Sequence, residues 1–192
     1  MKWLSIMLVL VASVLVWTES RTANQGAAFR SAQQKLDYIE TNADRQPPAH
    51  KATAITTEEF AAWLNGGGVA LPPGVSDVQF SSVPAVVTAK ARVDFDKLTA
   101  GVKSANPLLS IFSGVHDVEM TAQASGAQGL GSVRVESMTI DGVRVPRIAM
   151  QYAVDKYLKP KYPNVGLDSK FKLPARIDVA VVGNNVVTLT QK

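Results

Sequence analysis

The sequence predicts an α+β domain in which a curved antiparallel sheet, built from hairpins, wraps around a long apolar helix in the C-terminal half. Three observations predict this fold. Apolar and polar residues alternate along several segments after Val75, an apolar segment led by a proline occupies residues 146–158, and the chain closes on another hairpin pattern. Clean alternation is typical of antiparallel strands with one solvated face.

Length and composition fit one globular domain. The 192 residues are 46% hydrophobic and 19% charged, which is enough to bury a core without metal or disulfide support. We divide the chain into a signal peptide or N-terminal anchor (1–28), a polar helical arm or linker (29–48) and a single α+β domain (49–192). The absence of cysteine excludes disulfides and a lipoprotein anchor.

The N-terminal segment predicts export. One lysine precedes an uncharged, apolar run of fifteen residues from Trp3 to Trp17. Such a run matches a signal-peptide core and is shorter than the roughly 20 residues needed to span a bilayer. We therefore predict a bacterial periplasmic or envelope location, with cleavage of the segment and retention as an uncleaved tether both open.

The first elements of the domain are a strand and a helix. Residues 51–55 have the pattern of a short strand, and Thr56 and Glu59 stand at the spacing of a capping box. A stop is expected at Gly66, as a left-handed residue. Phe60, Trp63 and Leu64 form the apolar side of this helix, which we assign to core packing.

Two alternating segments then predict a hairpin with Pro84 in its turn. In the second segment Val87, Ala89, Ala91, Val93 and Phe95 share one face, while charged and polar residues share the other. The two alanines leave room for a group lying close to the sheet.

A second hairpin repeats this organisation. Val118, Met120 and Ala122 share a face in its first strand, and Val133 and Val135 do so in its second. After Ser137 the apolar residues change parity, which predicts a β-bulge and a bent sheet.

The segment "IDGVRVPRIAM" predicts a tight turn at Asp141–Gly142, a short strand, and a helix whose first turn holds Pro146. The helix is expected to reach Leu158, with a narrow polar stripe and an otherwise apolar circumference. It must therefore be covered on more than one side. The sheet, an oligomeric partner or a bound apolar ligand are the alternatives for that cover.

The order of these segments carries a resemblance. "ITTEEFAAWLN", "LPPGVSDVQF", "VESMTIDGVRVP" and "LPARIDV" succeed one another as in small exported bacterial lipid-binding proteins of the tubular lipid-binding (TULIP) type, which residues 50–192 resemble. The resemblance implies a long helix gripped by a bent antiparallel sheet, with lipid in the groove between them. It carries over no functional residue.

Catalytic signatures are missing from the sequence. It contains neither a nucleophile elbow, a zinc-binding histidine motif, a phosphate-binding glycine loop nor a cysteine, and His50 and His116 are its only histidines. We predict no enzymatic activity, no metal and no cofactor. The net charge of +4 is scattered and does not interleave with aromatic residues, so nucleic acid is not predicted as a partner.

The leading hypothesis is a protein that binds or shuttles lipid, holding an apolar chain between helix 146–158 and the sheet. The predicted lipid-binding residues are Ala89, Ala91, Val93, Phe95, Val118, Met120, Val135, Met150, Val154, Tyr157 and Leu158. Leu108, Leu109, Ile111 and Phe112 form either core or a hydrophobic lip that gates the groove or touches membrane. Lys156, Lys159 and Lys161 form either a solvated basic face or the head-group residues of the site, suited to an anionic membrane surface. The alternative is a non-enzymatic envelope scaffold or protein-interaction domain with a closed core, whose protein partner the sequence does not identify.

Overall fold

A computed structural model describes residues 24–98, 113–159 and 166–192 of the chain. The described helices are α1 (24–43), α2 (Thr57–Asn65), α3 (Phe95–Leu98) and α4 (Arg147–Ala153), which continues into a π-helical turn at Val154–Leu158. The strands are β1 (Thr53–Thr56), β2 (Val75–Val83), β3 (Val86–Asp94), β4 (Val115–Ala127), β5 (Leu130–Ile140), β6 (Val143–Arg144), β7 (Asp168–Lys172), β8 (Ile177–Val182) and β9 (Val186–Gln191). All nine strands belong to one antiparallel sheet, so the predicted α+β class is confirmed.

The long β4–β5 hairpin is the centre of the sheet. Along one edge of β4, strand β3 of the β2–β3 hairpin pairs first and β8 pairs beyond it. Strand β9 pairs with the other edge of β8, and β1 pairs with β9. The turns of the two outer hairpins meet, since Ser82 and Asn185 exchange backbone and side-chain hydrogen bonds of 2.9 and 3.0 Å. On the free edge of β5 lie β6 and β7.

The sheet has one apolar and one polar face, as the alternation predicts. The register pairs Val87 with Ala122 and Ala89 with Met120 on the apolar face. The parity change in β5 is a bulge: Thr121 pairs with Ser137, but Ala122 pairs with Val135. Residue 136 is therefore the extra residue, and the predicted β-bulge is confirmed.

Helix α1 packs on the sheet, although the sequence left a linker and a docked arm open for residues 29–48. Its Ile39 is buried against Ile55 of β1 and Ile177 of β8. The Asn42 side chain is fully buried and donates to the Gln191 carboxamide oxygen at 2.8 Å. This internal pairing satisfies polar groups that would otherwise be costly to bury.

Helix α2 begins with the predicted capping box. Thr56 Oγ1 accepts from the Glu59 N–H at 3.1 Å, and the Glu59 carboxylate accepts from the Thr56 N–H at 2.8 Å. The prediction of a left-handed Gly66 is wrong by one position, because Gly66 has φ −82° and Gly67 has φ 87°.

The C-terminal-half helix differs from the prediction. The turn and the short strand are correct, since Asp141 and Gly142 both have positive φ and β6 follows. The helix begins one residue later than predicted, because Pro146 is extended at the N-cap position and Arg147 is the first helical residue. The long apolar helix is not present, because α4 has seven residues before the π-helical turn. The sheet does not cover this helix on more than one side, since Ile148 is 82% exposed and Tyr152 is 41% exposed.

Candidate apolar ligand site

The candidate site is the middle of the apolar face of the sheet. Its floor consists of Ala89 and Ala91 on β3 and of Val118 and Met120 on β4, paired directly across the two strands. Met120 is 36% exposed, and the other three side chains are half-buried. Met138 of β5 continues the floor, because it pairs with Met120 on the other side.

The small side chains of the floor have a structural consequence. Alanine leaves the backbone of β3 close to whatever lies on the sheet, and Met120 is an unbranched side chain that adapts to neighbours of different shape. The opposite face at these positions carries Lys90 and Glu119, which form an ion pair of 2.9 Å. The two faces of β3 and β4 therefore differ sharply in polarity.

Helix α2 borders the floor on the β2 side. The Phe60 ring lies 5.3 Å from the Phe80 ring, centroid to centroid, and Phe80 pairs with Ala89. Val78 on the same strand is buried, and the Asn65 amide fixes its backbone through hydrogen bonds of 2.7 and 2.9 Å. The aromatic side of α2 thus lies against the sheet, but it is not buried core as the sequence predicts, because Phe60 is 36% exposed and Trp63 and Leu64 are half-buried.

Helix α4 borders the floor on the β5 side. Met150 and Val154 are buried in one cluster with Ala122 and Val135. Met150, Val154 and Val135 are predicted lipid-binding residues, and in this structure they pack against one another. Leu167 completes the cluster. It belongs to no periodic pattern or motif, so its burial could not be predicted from the sequence. Its carbonyl accepts from the Val135 N–H at 2.7 Å, which fixes the segment before β7 against β5.

Val93 and Phe95, two further predicted lining residues, do not belong to this cluster. Val93 is buried at the far end of β3. Phe95 was predicted on the same strand face, but β3 ends at Asp94 and Phe95 begins α3. Its ring lies edge-on to the His116 ring at 5.7 Å. The side chains of Tyr157 and Leu158 lie outside what the structure describes.

His116 joins three segments at this far end of the face. Its Nδ1 lies 2.6 Å from Asp141 Oδ2, and its Nε2 lies 3.1 Å from the Ser113 carbonyl oxygen. The hydrogen bond to Asp141, followed by that to Ser113, raises the pKa of His116, and the same contact with His116 lowers the pKa of Asp141. Because both ring nitrogens face acceptors, the protonated imidazolium satisfies the arrangement best.

The predicted head-group and lip residues are only partly described. Lys156 Nζ lies 3.0 Å from the Tyr152 hydroxyl, and Lys159 Nζ forms a 2.5 Å ion pair with Asp155. Lys161 lies outside the described residues. So do the four predicted lip residues, Leu108, Leu109, Ile111 and Phe112.

A separate groove of about 1050 Å³ lies where α1 and α2 meet the outer edge of β2. None of the predicted lipid-binding residues lines it. The β2 backbone at Val78 bonds to Asn65, and that at Ser82 bonds to Asn185. By strand alternation the backbone N–H and C=O of Phe80, midway between them, point into the groove.

Among the helices of the described segments, none combines the length and apolar character needed to cross a membrane. Comparison of the chain with protein-family models, with curated proteins and with solved structures found no match.

Proposed function

We propose that this protein binds an apolar chain, such as an acyl or isoprenoid chain, on the sheet face between α2 and α4. The observation that carries the proposal is the exposure of Met120 on an apolar sheet face, beside a border at α4 where Met150 and Val154 are buried. Exposed apolar strips on an otherwise polar surface mark binding sites. Each methylene contributes at most about 0.8 kcal/mol, the value for complete transfer out of water.

The location proposed for this activity is the bacterial envelope, where an exported protein meets membrane lipid. An apolar chain lying along the floor would contact Ala89, Ala91, Val118 and Met120, with Met150 at the α4 border. The polar opposite face of the sheet keeps the complex soluble, because its charged residues stay in water. The protein acts in this proposal as a non-enzymatic carrier or store of lipid.

Binding can be tested by titration with a fluorescent fatty acid such as parinaric acid. Met120→Glu places a charge on the floor and is expected to weaken binding at least tenfold, while the fold persists because the side chain is already part-exposed. Val181→Glu on β8, at a side chain that is 56% exposed, is the matched control and should leave binding unchanged. If Met120→Glu and Val181→Glu bind the fatty acid with equal affinity, the floor is not the binding site.

A second candidate function is docking of an extended protein segment in the groove beside β2. The outward-pointing backbone of Phe80 favours it, since edge strands bind peptides through main-chain hydrogen bonds. Docking of a protein segment corresponds to the alternative hypothesis, a non-enzymatic envelope scaffold or protein-interaction domain. Cross-linking from Ser81, which lines the groove, distinguishes the two functions: a protein adduct that forms at Ser81→Cys and survives Met120→Glu supports docking.

A further inference from the structure

Strand β7 is a free edge of the sheet, on the side of β5 that faces away from β4. The Leu173 N–H donates to the Gly129 carbonyl at 2.8 Å, and the Leu167 carbonyl accepts from β5 at 2.7 Å. Residues alternate along an antiparallel ladder, so the backbone N–H and C=O of Lys170 and Lys172 point away from β5. Within the described part of the chain no further strand pairs with this edge, so these groups form a template for an added strand.

The two lysines give this edge a positive charge. Lys170 and Lys172 are exposed and lie two residues apart on one strand, so their side chains share the polar face of the sheet. In the described segments no ion pair joins either ammonium group to a carboxylate. Asp168, the one acid of β7, is held instead by Arg134 at 3.3 Å and by Arg147 at 2.6 Å. The charge of the edge therefore favours an acidic partner.

An apolar side chain lies between the lysines, on the opposite face of the strand. Phe171 is 43% exposed, and its ring lies over Gly131, where an added Cβ would come within 2.7 Å of the ring. The edge thus presents a basic, an apolar and a basic side chain in succession, with the basic pair on one face and the ring on the other. Opposite-charge and aromatic–apolar pairs across two strands are stabilising. The complementary strand is therefore acidic, apolar and acidic in the same order.

A second copy of this chain fits the edge poorly. Antiparallel pairing of two β7 edges, centred on the lysines, sets a lysine directly opposite a lysine, and such like-charge pairs are destabilising. Lysines on edge strands prevent this kind of pairing in natural sheets. A strand with acidic residues at the matching positions is attracted by the same two charges.

We infer that β7 binds an extended acidic segment of a partner protein, which adds to the sheet as a further antiparallel strand. Two acidic residues of that segment lie opposite Lys170 and Lys172 and exchange main-chain hydrogen bonds with them, and the apolar residue between them contacts Phe171. The outward main-chain groups favour a peptide over a lipid surface, because only a peptide backbone continues the ladder. The edge is separate from the floor around Met120 and from the groove beside β2, so binding here is independent of both proposed functions.

The charge complementarity can be tested by fluorescence anisotropy of the full chain with a fluorescein-labelled peptide. The peptide has the core Glu-Val-Glu flanked by threonines, and its control has the core Lys-Val-Lys. We expect binding of the Glu-Val-Glu peptide alone, weakened by salt. Lys170→Glu should weaken it about fivefold or more, because one attractive cross-strand pair becomes repulsive. Lys51→Glu, at an exposed position before β1, makes the same change in net charge and should leave binding unchanged.

Reversal of both charges gives a positive readout. Lys170→Glu/Lys172→Glu should prefer the Lys-Val-Lys peptide, while thermal unfolding stays as in the wild type because both side chains are exposed. The proposal is overturned if neither peptide binds, if both bind the wild type alike, if Lys51→Glu weakens binding as much as Lys170→Glu, or if the double variant keeps the wild-type preference. Dimerisation of the chain that Lys170→Glu abolishes, without peptide binding, would assign the edge to a second copy and also overturn the proposal.

Strand addition is distinguished from a purely electrostatic contact by N-methylation of the peptide. In an antiparallel ladder the N–H groups of the two glutamates point to β7, and that of the valine points away. Methylation of a glutamate nitrogen should therefore abolish binding, and methylation of the valine nitrogen should preserve it. Equal binding of the two methylated peptides would contradict strand addition.

Discussion

Replacement of Glu59 by glutamine is expected to weaken the attachment of α1 to α2 in a pH-dependent way. The Glu59 carboxylate accepts from Lys35 Nζ at 2.6 and 2.7 Å, from Ser31 Oγ at 2.5 Å and from the Thr56 N–H at 2.8 Å. Lys35 and Ser31 belong to α1, so one carboxylate ties two helices together. Glutamine keeps the shape of the side chain and removes its charge.

The magnitude follows from the pKa of Glu59. Burial by itself raises this pKa, but the hydrogen bonds from Lys35 and Ser31 outweigh it and lower the pKa from 4.5 to about 2. At 1.36 kcal/mol for each unit the ceiling is about 3 kcal/mol. Screening at Lys35, whose side chain is 33% exposed, reduces the expected loss to about 1–2 kcal/mol at pH 7.

The sign of the pH dependence is fixed by the direction of the shift. A carboxyl group whose pKa is lower in the folded protein stabilises the fold above pH 4.5 and loses this effect as the pH falls toward 2. Urea unfolding of wild type and Glu59→Gln should therefore differ at pH 7 and converge near pH 2. Glu40→Gln, which removes an exposed carboxylate from α1, is the control. A difference that stays constant from pH 7 to pH 3 would refute the reasoning.

Three further predictions concern the core and the far end of the sheet. Met150→Ala should lower the free energy of unfolding by about 2–4 kcal/mol, whereas exposed Ile148→Ala should change it by less than about 0.5 kcal/mol in the same urea titration. Asn42→Leu should cost about 1–3 kcal/mol, since its buried partners lose their hydrogen bonds, and hydrogen exchange should show faster opening of α1. The pKa of His116, followed by NMR, should fall in Asp141→Asn. In the wild type, the stabilisation of the fold by protonated His116 should be lost as the pH rises through the pKa of His116 in the folded protein. A His116 titration that is the same in Asp141→Asn would exclude this pair as the cause of the raised pKa.

The strands were predictable because their pattern is local. Alternation along β3 placed Ala89 and Ala91 on the apolar face, and the parity change after Ser137 located the bulge that brings Met138 back to that face. The capping box at Thr56 was equally local, since two residues at fixed spacing define it. Such features depend on neighbours in sequence and need no knowledge of tertiary contacts.

The helix was harder to predict because its cover depends on distant segments. Apolar residues around most of its circumference suggested burial on several sides, yet Ile148 and Tyr152 are exposed. Composition cannot distinguish an apolar side chain that packs in the core from one held on the surface. Leu167 was missed for the same reason, because its burial arises from the return of the chain to β5.

The most direct test of apolar ligand binding is native mass spectrometry of the protein purified gently from envelope membranes, followed by solvent extraction. We expect a stoichiometric lipid adduct in wild type that Ala89→Phe removes by filling the floor. Gln123→Phe, on the polar face of β4, should retain the adduct and the same thermal stability. A wild-type chain that stays free of lipid after incubation with total membrane lipid, or an adduct unaffected by Ala89→Phe, would contradict binding on this face.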